Sequence, residues 1–474
     1  MPSKKLITLL DTFSKIDLKQ FQKFIHSSYF NENEEIRQLF GIILNDLQMQ
    51  NDKQLIINKK QQIWGQLFRQ KKYNDAYLRK LCYELGQLAN MFLIIEAQKK
   101  ERVHKDIQLL EIYKERKLFT HFDSLSKKVH QHNQLASADY YQQYRLEHLH
   151  HTKLEKAVGK FKTLDHLERA DHFMDCFFII KKLKLYCDFL DYRHSVSKEA
   201  KIGMIPGFLD YIQKSDFIQH ALIRSYFLVT NMLLEKNEEP YFHELKEVLA
   251  ENIADIPREE LKTLYIYLIN YCIDTKINAG RSDYFFELFD LYKALLRDEI
   301  FIEKNTISPQ DYKNIITVGL HIKQFEWVES FIQNFTEKLP EEHQDNALTY
   351  NLAKVYFHKE DYPKVIEQLR EVEYKNLVYA LGGKLMLLKT YYELDEYIPL
   401  DSLIDSFRIY LRRNKKISKE VQQQYMNVLR FVKKLSNIDP YDQVAIKKVK
   451  KQVEDCKALA SKKWILQKIA VLEK

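Results

Sequence analysis

The chain has 474 residues, 45% hydrophobic and 30% charged, a balance that lets it bury a core and stay in solution. Its 10 Gly and 9 Pro fall far below the roughly 12% of ordinary usage. Strand-rich and α/β folds need many positive-φ turns, so this shortage excludes them and predicts an all-α chain with short connections. The net charge of +8 is unevenly spread: residues 411–474 hold 17 Lys and Arg against 6 Asp and Glu, so the basic excess belongs to that final segment.

Helical periodicity starts in short pieces over roughly 4–75, where Phe21, Phe24 and Ile25 recur on one helix face. The turn SSYFNENEEI at 27–36 follows, with Ser and Asn residues suited to capping the next helix. A long amphipathic segment begins near Asn74. In it Leu78, Leu81, Leu85, Leu88, Phe92 and Ile95 form one stripe, and the helix is expected to reach about residue 116. Further helices are expected at 118–134, 136–158 and 165–192. From about 216 the pattern becomes helix, short turn, helix, repeated, with start signals at Ser308-Pro309 and Asp439-Pro440. Helix pairs of this kind bury their apolar faces only against neighbours. The organisation expected is an N-terminal helical domain over 1–120, hairpins over 121–215, repeated helix pairs over 216–411 and a basic C-terminal cap over 412–474. The cap is read as one long helix through 440–472, with Val449, Val453, Cys456 and Ala460 on its apolar stripe.

Cys82, Cys176, Cys187, Cys272 and Cys456 are odd in number and scattered, which fits small core residues in a reducing compartment. The N-terminal apolar run, Leu6 to Leu10, is too short for a signal peptide, and the longest run, LYIYLINYCI at 264–273, is half a membrane span. A cytoplasmic protein with no membrane partner is expected.

The segment YNLAKVYFHKEDYPKVIEQLREV at 350–372 resembles a tetratricopeptide repeat. Leu352 and Ala353 stand at the Leu and small-residue positions of that family's first helix, Tyr356 at its aromatic position and Tyr362 just after the turn. Val365, Leu369 and Val372 fill the second helix. The next unit repeats the slots with Leu387, Leu388, Tyr391, Tyr397, Leu400, Ile404 and Phe407. Upstream, Ile315, Ile316, Gly319, Phe325, Val328, Ile332 and Phe335 fit with a looser turn. Thr349 replaces the usual Trp, and no proline closes the unit near Leu377. The aromatics after each turn, Tyr241, Tyr284, Phe325, Tyr362 and Tyr397, are spaced by 43, 41, 37 and 35, approaching the period of about 34 only at the end. The N-terminal block together with this array also resembles bacterial helical-repeat proteins, a likeness that supplies no activity. What the resemblance implies is an α-solenoid of antiparallel helix pairs whose first helices line a concave binding surface.

Gly-rich phosphate loops, Gly-x-Ser-x-Gly and His-Glu-x-x-His are all missing, which lowers the case for an enzyme and for any cofactor. Eight of the sixteen histidines fall between 121 and 172, and Glu101/His104 and Glu147/His150 have the Glu-x-x-His spacing of bundle metal sites. The extra glutamates such a site needs are missing from 118–134, so no metal site is assigned, and a metal-dependent helical enzyme is the third reading. The basic residues Arg412, Arg413, Lys447, Lys448, Lys450 and Lys451 give a second reading, a nucleic-acid-associated regulator, with Tyr425, Phe431 and Trp464 as the nearby aromatics. The first reading is a non-catalytic scaffold that holds a peptide or helix. By the resemblance, Tyr350, Lys354, Phe357 and His358 face the groove from one unit, and Leu385, Lys389, Tyr392 and Glu393 from the next. Lys354 and Lys389 share a slot that favours an acidic partner.

Overall fold

The computed structural model describes residues 4–49, 60–69, 71–100, 102–131, 137–158, 164–193, 203–234, 238–344, 346–370 and 377–473. The fold is all-α, as composition requires. Among the described residues the strands are one two-residue pair, Ile302–Glu303 with Thr306–Ile307, turned through the left-handed Lys304 and Asn305. No helix among those residues is long and apolar enough to cross a membrane. The chain divides into two compact units, Met1–Leu183 and Lys184–Lys474.

In the first unit, the predicted stripe on Asp75–Lys100 packs against the helices Lys4–Asp11, Lys15–His26 and Glu34–Met49. Leu78, Leu81, Leu85 and Phe92 are buried there with Leu10, Phe21, Ile25 and Phe40, and Leu88 packs against the same cluster. Ser14 and Asp17 form a reciprocal capping box at the start of the second of these helices. The SSYFNENEEI turn caps as expected, and its organiser is the buried Asn31. Its amide donates to the Ile25 carbonyl (2.9 Å), while Asn33 Oδ1 accepts from the Glu35 N–H (3.0 Å). The segment expected to run to about 116 is helical over Asp75–Lys100 and Arg102–Glu115, residue 101 lying outside the described residues. The second packs with Phe119–Gln131 and Ser137–Val158 around Ile107, Leu110, Phe122, Leu146 and Leu149.

The second unit is built of helix pairs. Ala221–Leu234 packs with Glu239–Glu251, Pro309–His321 with Phe325–Phe335, Ala347–His358 with Tyr362–Leu369, and Leu377–Glu393 with Tyr397–Arg413. First helices also meet: Ala347–His358 contacts both Pro309–His321 and Leu377–Glu393. The turn inside the last three pairs has one geometry. Lys323, Glu360 and Asp395 adopt φ of 60°, 60° and 54°. The next residue's N–H returns to the carbonyl five positions back, at 2.9 Å for Gln324 to Gly319, 2.9 Å for Asp361 to Tyr356 and 3.0 Å for Glu396 to Tyr391. This is a Schellman C-cap, a position usually held by Gly. Residues with side chains occupy it here, which is how a Gly-poor chain still turns this tightly. The aromatics Phe325, Tyr362 and Tyr397 follow these caps two residues on, so their spacing is the spacing of the turns.

The C-terminal segment differs from expectation. Instead of one long helix through 440–472 there are two, Gln443–Asp455 and Lys462–Leu472, with Cys456 extended and Ser461 left-handed. The buried Asn427 donates to the Ala458 carbonyl (2.7 Å) and holds the break, so Cys456 and Ala460 lie in the connector. Breaking the helix lets both halves bury their stripes, Val449 and Val453 from one and Ile465 and Ile469 from the other, against Val428 and Phe431. A straight helix cannot bring both stripes onto one short partner.

Two substitutions test the packing logic. Glu360→Gly relieves a left-handed residue and is expected to stabilise by roughly 0.5–1 kcal/mol. Gly319→Ala places a Cβ 2.4 Å from Val328 Cγ2, between two paired helices, and is expected to cost about 1–3 kcal/mol. Urea melts followed by circular dichroism read both. A Glu360→Gly protein no more stable than wild type removes the strain argument.

Candidate interaction surface

On Ala347–His358, residues 350, 354, 357 and 358 recur at i, i+4, i+7 and i+8 and so share a face. On Leu377–Glu393, Leu385, Lys389 and Tyr392 do the same. The structure joins the two faces into one row. Lys354 Nζ approaches Thr317 Oγ1 on Pro309–His321 (3.4 Å), with Lys313 as a neighbouring charge. Lys389 Nζ stands 6.0 Å from the centre of the Phe357 ring. His358 lies within reach of Lys354, Lys389 and His321. Trp464, on Lys462–Leu472, closes the row: its ring centre is 5.4 Å from Lys389 Nζ, and it meets Tyr392 edge-on at 5.5 Å.

The electrostatics of this row set it apart from its surroundings. Three nearby lysines have acids: Lys359 pairs with Glu326 and Glu329, Lys364 with Asp361, and Lys468 with Glu393. Glu393 also accepts from the Trp464 indole N–H (2.8 Å), so this carboxylate close to Lys389 is already engaged. Lys354 and Lys389 have no carboxylate ion pair among the described residues, although both are partly buried. Desolvation lowers the Lys354 pKa, with Lys313 adding repulsion. Burial brings Lys389 down to about 8, against a small opposing pull from Glu393. His358 is also lowered, by desolvation first and then by Lys354, Lys389 and His321. The row therefore holds cations that have no carboxylate ion pair among the described residues, interleaved with aromatic rings.

Tyr350 is placed differently from its neighbours. Its ring packs 5.0 Å from Tyr379, and a Cβ on Gly382 would stand 2.5 Å from its hydroxyl, so it wedges between successive first helices. Burial pushes its phenol up to about 12. Sequence reasoning put Lys354, Phe357, His358, Lys389 and Tyr392 on one surface, and the structure brings them together. It missed Lys313, His321 and Trp464 as members of that surface. The first two carry the right spacing on an upstream first helix and were open to the same alignment. Trp464 had no local signal, because only the broken C-terminal segment delivers it.

The other candidate groups are scattered. Arg412 and Arg413 are exposed at the end of Tyr397–Arg413, where they suit the helix dipole, and Lys447, Lys448 and Lys451 are exposed on Gln443–Asp455. Lys450 is paired with Glu473 (2.8 Å). Their presumed stacking partners are committed elsewhere: Phe431 is buried, Tyr425 packs on Phe407 and Trp464 is bonded to Glu393. In the first unit, Glu147 is buried against His166 (2.6 Å) and Arg169 (3.1 Å), while His150 bonds to Ser126 and stacks on His166. Both members of the Glu147/His150 pair thus meet His166, Glu147 by a hydrogen bond and His150 by stacking. Glu101 lies outside the described residues.

Comparison with known proteins finds no matching protein family, no matching curated protein and no matching solved structure.

Lys389 gives a pH test with a defined sign. Its folded pKa of about 8 lies below the ordinary lysine value of about 10.4, so the unfolded chain binds more protons between those limits. Stability contributed by this group is expected to rise as pH increases from about 8 to about 10. Lys389→Met should remove that increment and raise stability at neutral pH by roughly 1 kcal/mol. Urea midpoints for the two proteins across this range decide it: parallel pH profiles contradict the assignment.

Proposed function

We propose that this chain is a non-catalytic, cytoplasmic scaffold or adaptor, and that its second unit is a tetratricopeptide-like array. On this reading the face made by successive first helices receives an acidic, aromatic-bearing segment of a partner protein. The observation that carries it is the pair Lys354 and Lys389, partly buried and without a carboxylate ion pair among the described residues, while Lys359, Lys364 and Lys468 nearby are paired. Desolvating an ammonium without compensation costs stability, and an incoming carboxylate offsets that cost only in the complex. Phe357, Tyr392 and Trp464 supply apolar area beside the charges, the combination that recurs at protein-binding hot spots. Lys313 and His358 extend the positive field along the same row.

A second reading, a nucleic-acid-associated regulator, is favoured by the exposure of Arg412, Arg413, Lys447, Lys448 and Lys451. It predicts a mobility shift of DNA or RNA that weakens steeply with salt. Absence of a shift at low salt removes it.

The scaffold reading is tested by fluorescence anisotropy with a labelled peptide of alternating Glu and Phe. Binding is expected to weaken at least about tenfold in Lys354→Glu/Lys389→Glu, each charge-assisted contact being worth roughly 1.5–3 kcal/mol. It should also weaken in wild type as pH rises through about 8, when Lys389 loses its charge. A folded double variant that binds as tightly as wild type overturns the assignment.

A further inference from the structure

A second feature of the same unit lies round the helix Leu377–Glu393 from the row just described. Ala380, Lys384, Leu387 and Tyr391 recur at i, i+4, i+7 and i+11 on that helix, and Lys384 is about 140° round the axis from Lys389. This other face opens on a cavity of about 550 Å³. Two further elements wall it. Tyr397–Arg413 contributes Ser402, Leu403, Ser406 and Tyr410, again one turn apart, and the end of Tyr362–Leu369 contributes Leu369 and the following Arg370. The size is that of a site for a small organic molecule.

The lining is chemically divided. Leu369, Ala380, Leu387 and Leu403 give an apolar body, and the polar side is cationic and hydroxylic, with no carboxylate in the wall among the described residues. Lys384 Nζ rests 5.2 Å from the centre of the Tyr410 ring, and neither Lys384 nor Arg370 has an ion-pair partner among the described residues. Burial lowers the Lys384 pKa, the signature of an ammonium taken out of water without a compensating acid. Tyr410 Oη accepts from Asn414 Nδ2 (3.2 Å) and Ser406 donates to the Leu403 carbonyl (3.0 Å), so these hydroxyls are oriented by the helix that carries them. A neutral apolar ligand leaves the two cations unanswered, and a free inorganic anion leaves the apolar wall wet. A molecule with both parts satisfies the whole cavity.

We propose that this cavity binds a small organic anion, a carboxylate or phosphate head on an apolar or aromatic body, with Lys384 and Arg370 holding the head and Leu369, Leu387 and Leu403 the body. The guanidinium presents a planar fork that matches either head, and the ammonium acts as a point charge beside it. This site shares no residue with the row of Lys354 and Lys389, so it stands or falls independently of the scaffold reading.

The test is isothermal titration calorimetry of the full chain with phenyl phosphate, benzoate and inorganic phosphate. The expected result is binding of at least one aromatic probe, the tighter of the two naming the head group, and weaker binding of inorganic phosphate. Lys384→Gln should weaken the aromatic probe about tenfold or more. Leu403→Trp, which fills the apolar side without changing charge, should abolish it. Both variants are checked for a cooperative melt, and Lys384→Gln is expected to fold because it removes a buried charge. No binding of either aromatic probe by wild type overturns the proposal. So does equal affinity for inorganic phosphate, or binding that survives both substitutions.

Discussion

An amphipathic helix of eleven to thirteen residues is marginal in water and buries its apolar face only against another helix. The second unit is governed by that constraint, since helices such as Phe325–Phe335 and Ala347–His358 are of this length. In the last three pairs the first helix is folded onto its successor by a Schellman turn, and each pair then packs on the next. Close approach needs small residues at the crossing points, and Gly319 and Ala353 hold two of them. Close approach also narrows the space between first helices, so any polar residue on their common face loses part of its water. The low pKa values of Lys354 and Lys389 follow from that geometry without any special chemistry.

The same unit shows how buried charge is handled when binding is not at stake. Lys276 is buried and answered by Glu238 and Glu239, both at 2.8 Å, between the rings of Tyr271 and Tyr284. Glu260 is buried and held by Lys184 and Tyr226. In both places donors and acceptors meet inside the fold, as polar groups out of water require. Against that background the uncompensated lysines of the first-helix row and of the cavity stand out. Among the described residues, Lys276 is paired, whereas Lys354, Lys384 and Lys389 lie against hydroxyl and aromatic groups instead of carboxylates.

Much of the candidate surface was legible because it depends on helical periodicity. Lys354 and Lys389 occupy equivalent slots of adjacent units, and a period of 35 residues is enough to place them on one side. Phe357 and Tyr392 follow by the same rule. Tyr350 obeys the spacing too, yet its ring turns into a gap that exists only because residue 382 has no side chain. Trp464 is 75 residues from Lys389 in a segment whose pattern is compatible with a continuous helix. Its place depends on a break fixed by Asn427, a residue on a different helix. Pairwise tertiary contacts of this kind leave no periodic trace.

By itself the sequence determined the all-α class, the helix faces and the register of the last repeated units, since each of these is set by local periodicity and by the scarcity of Gly and Pro. Tertiary structure alone decided which of the described lysines keep a carboxylate, where the C-terminal segment breaks, and that three helices line an open pocket around Lys384. The physical reason is that ion pairing, desolvation and enclosed volume are properties of groups brought together from distant parts of the chain. Periodicity assigns a side chain to a face; only packing assigns it a partner.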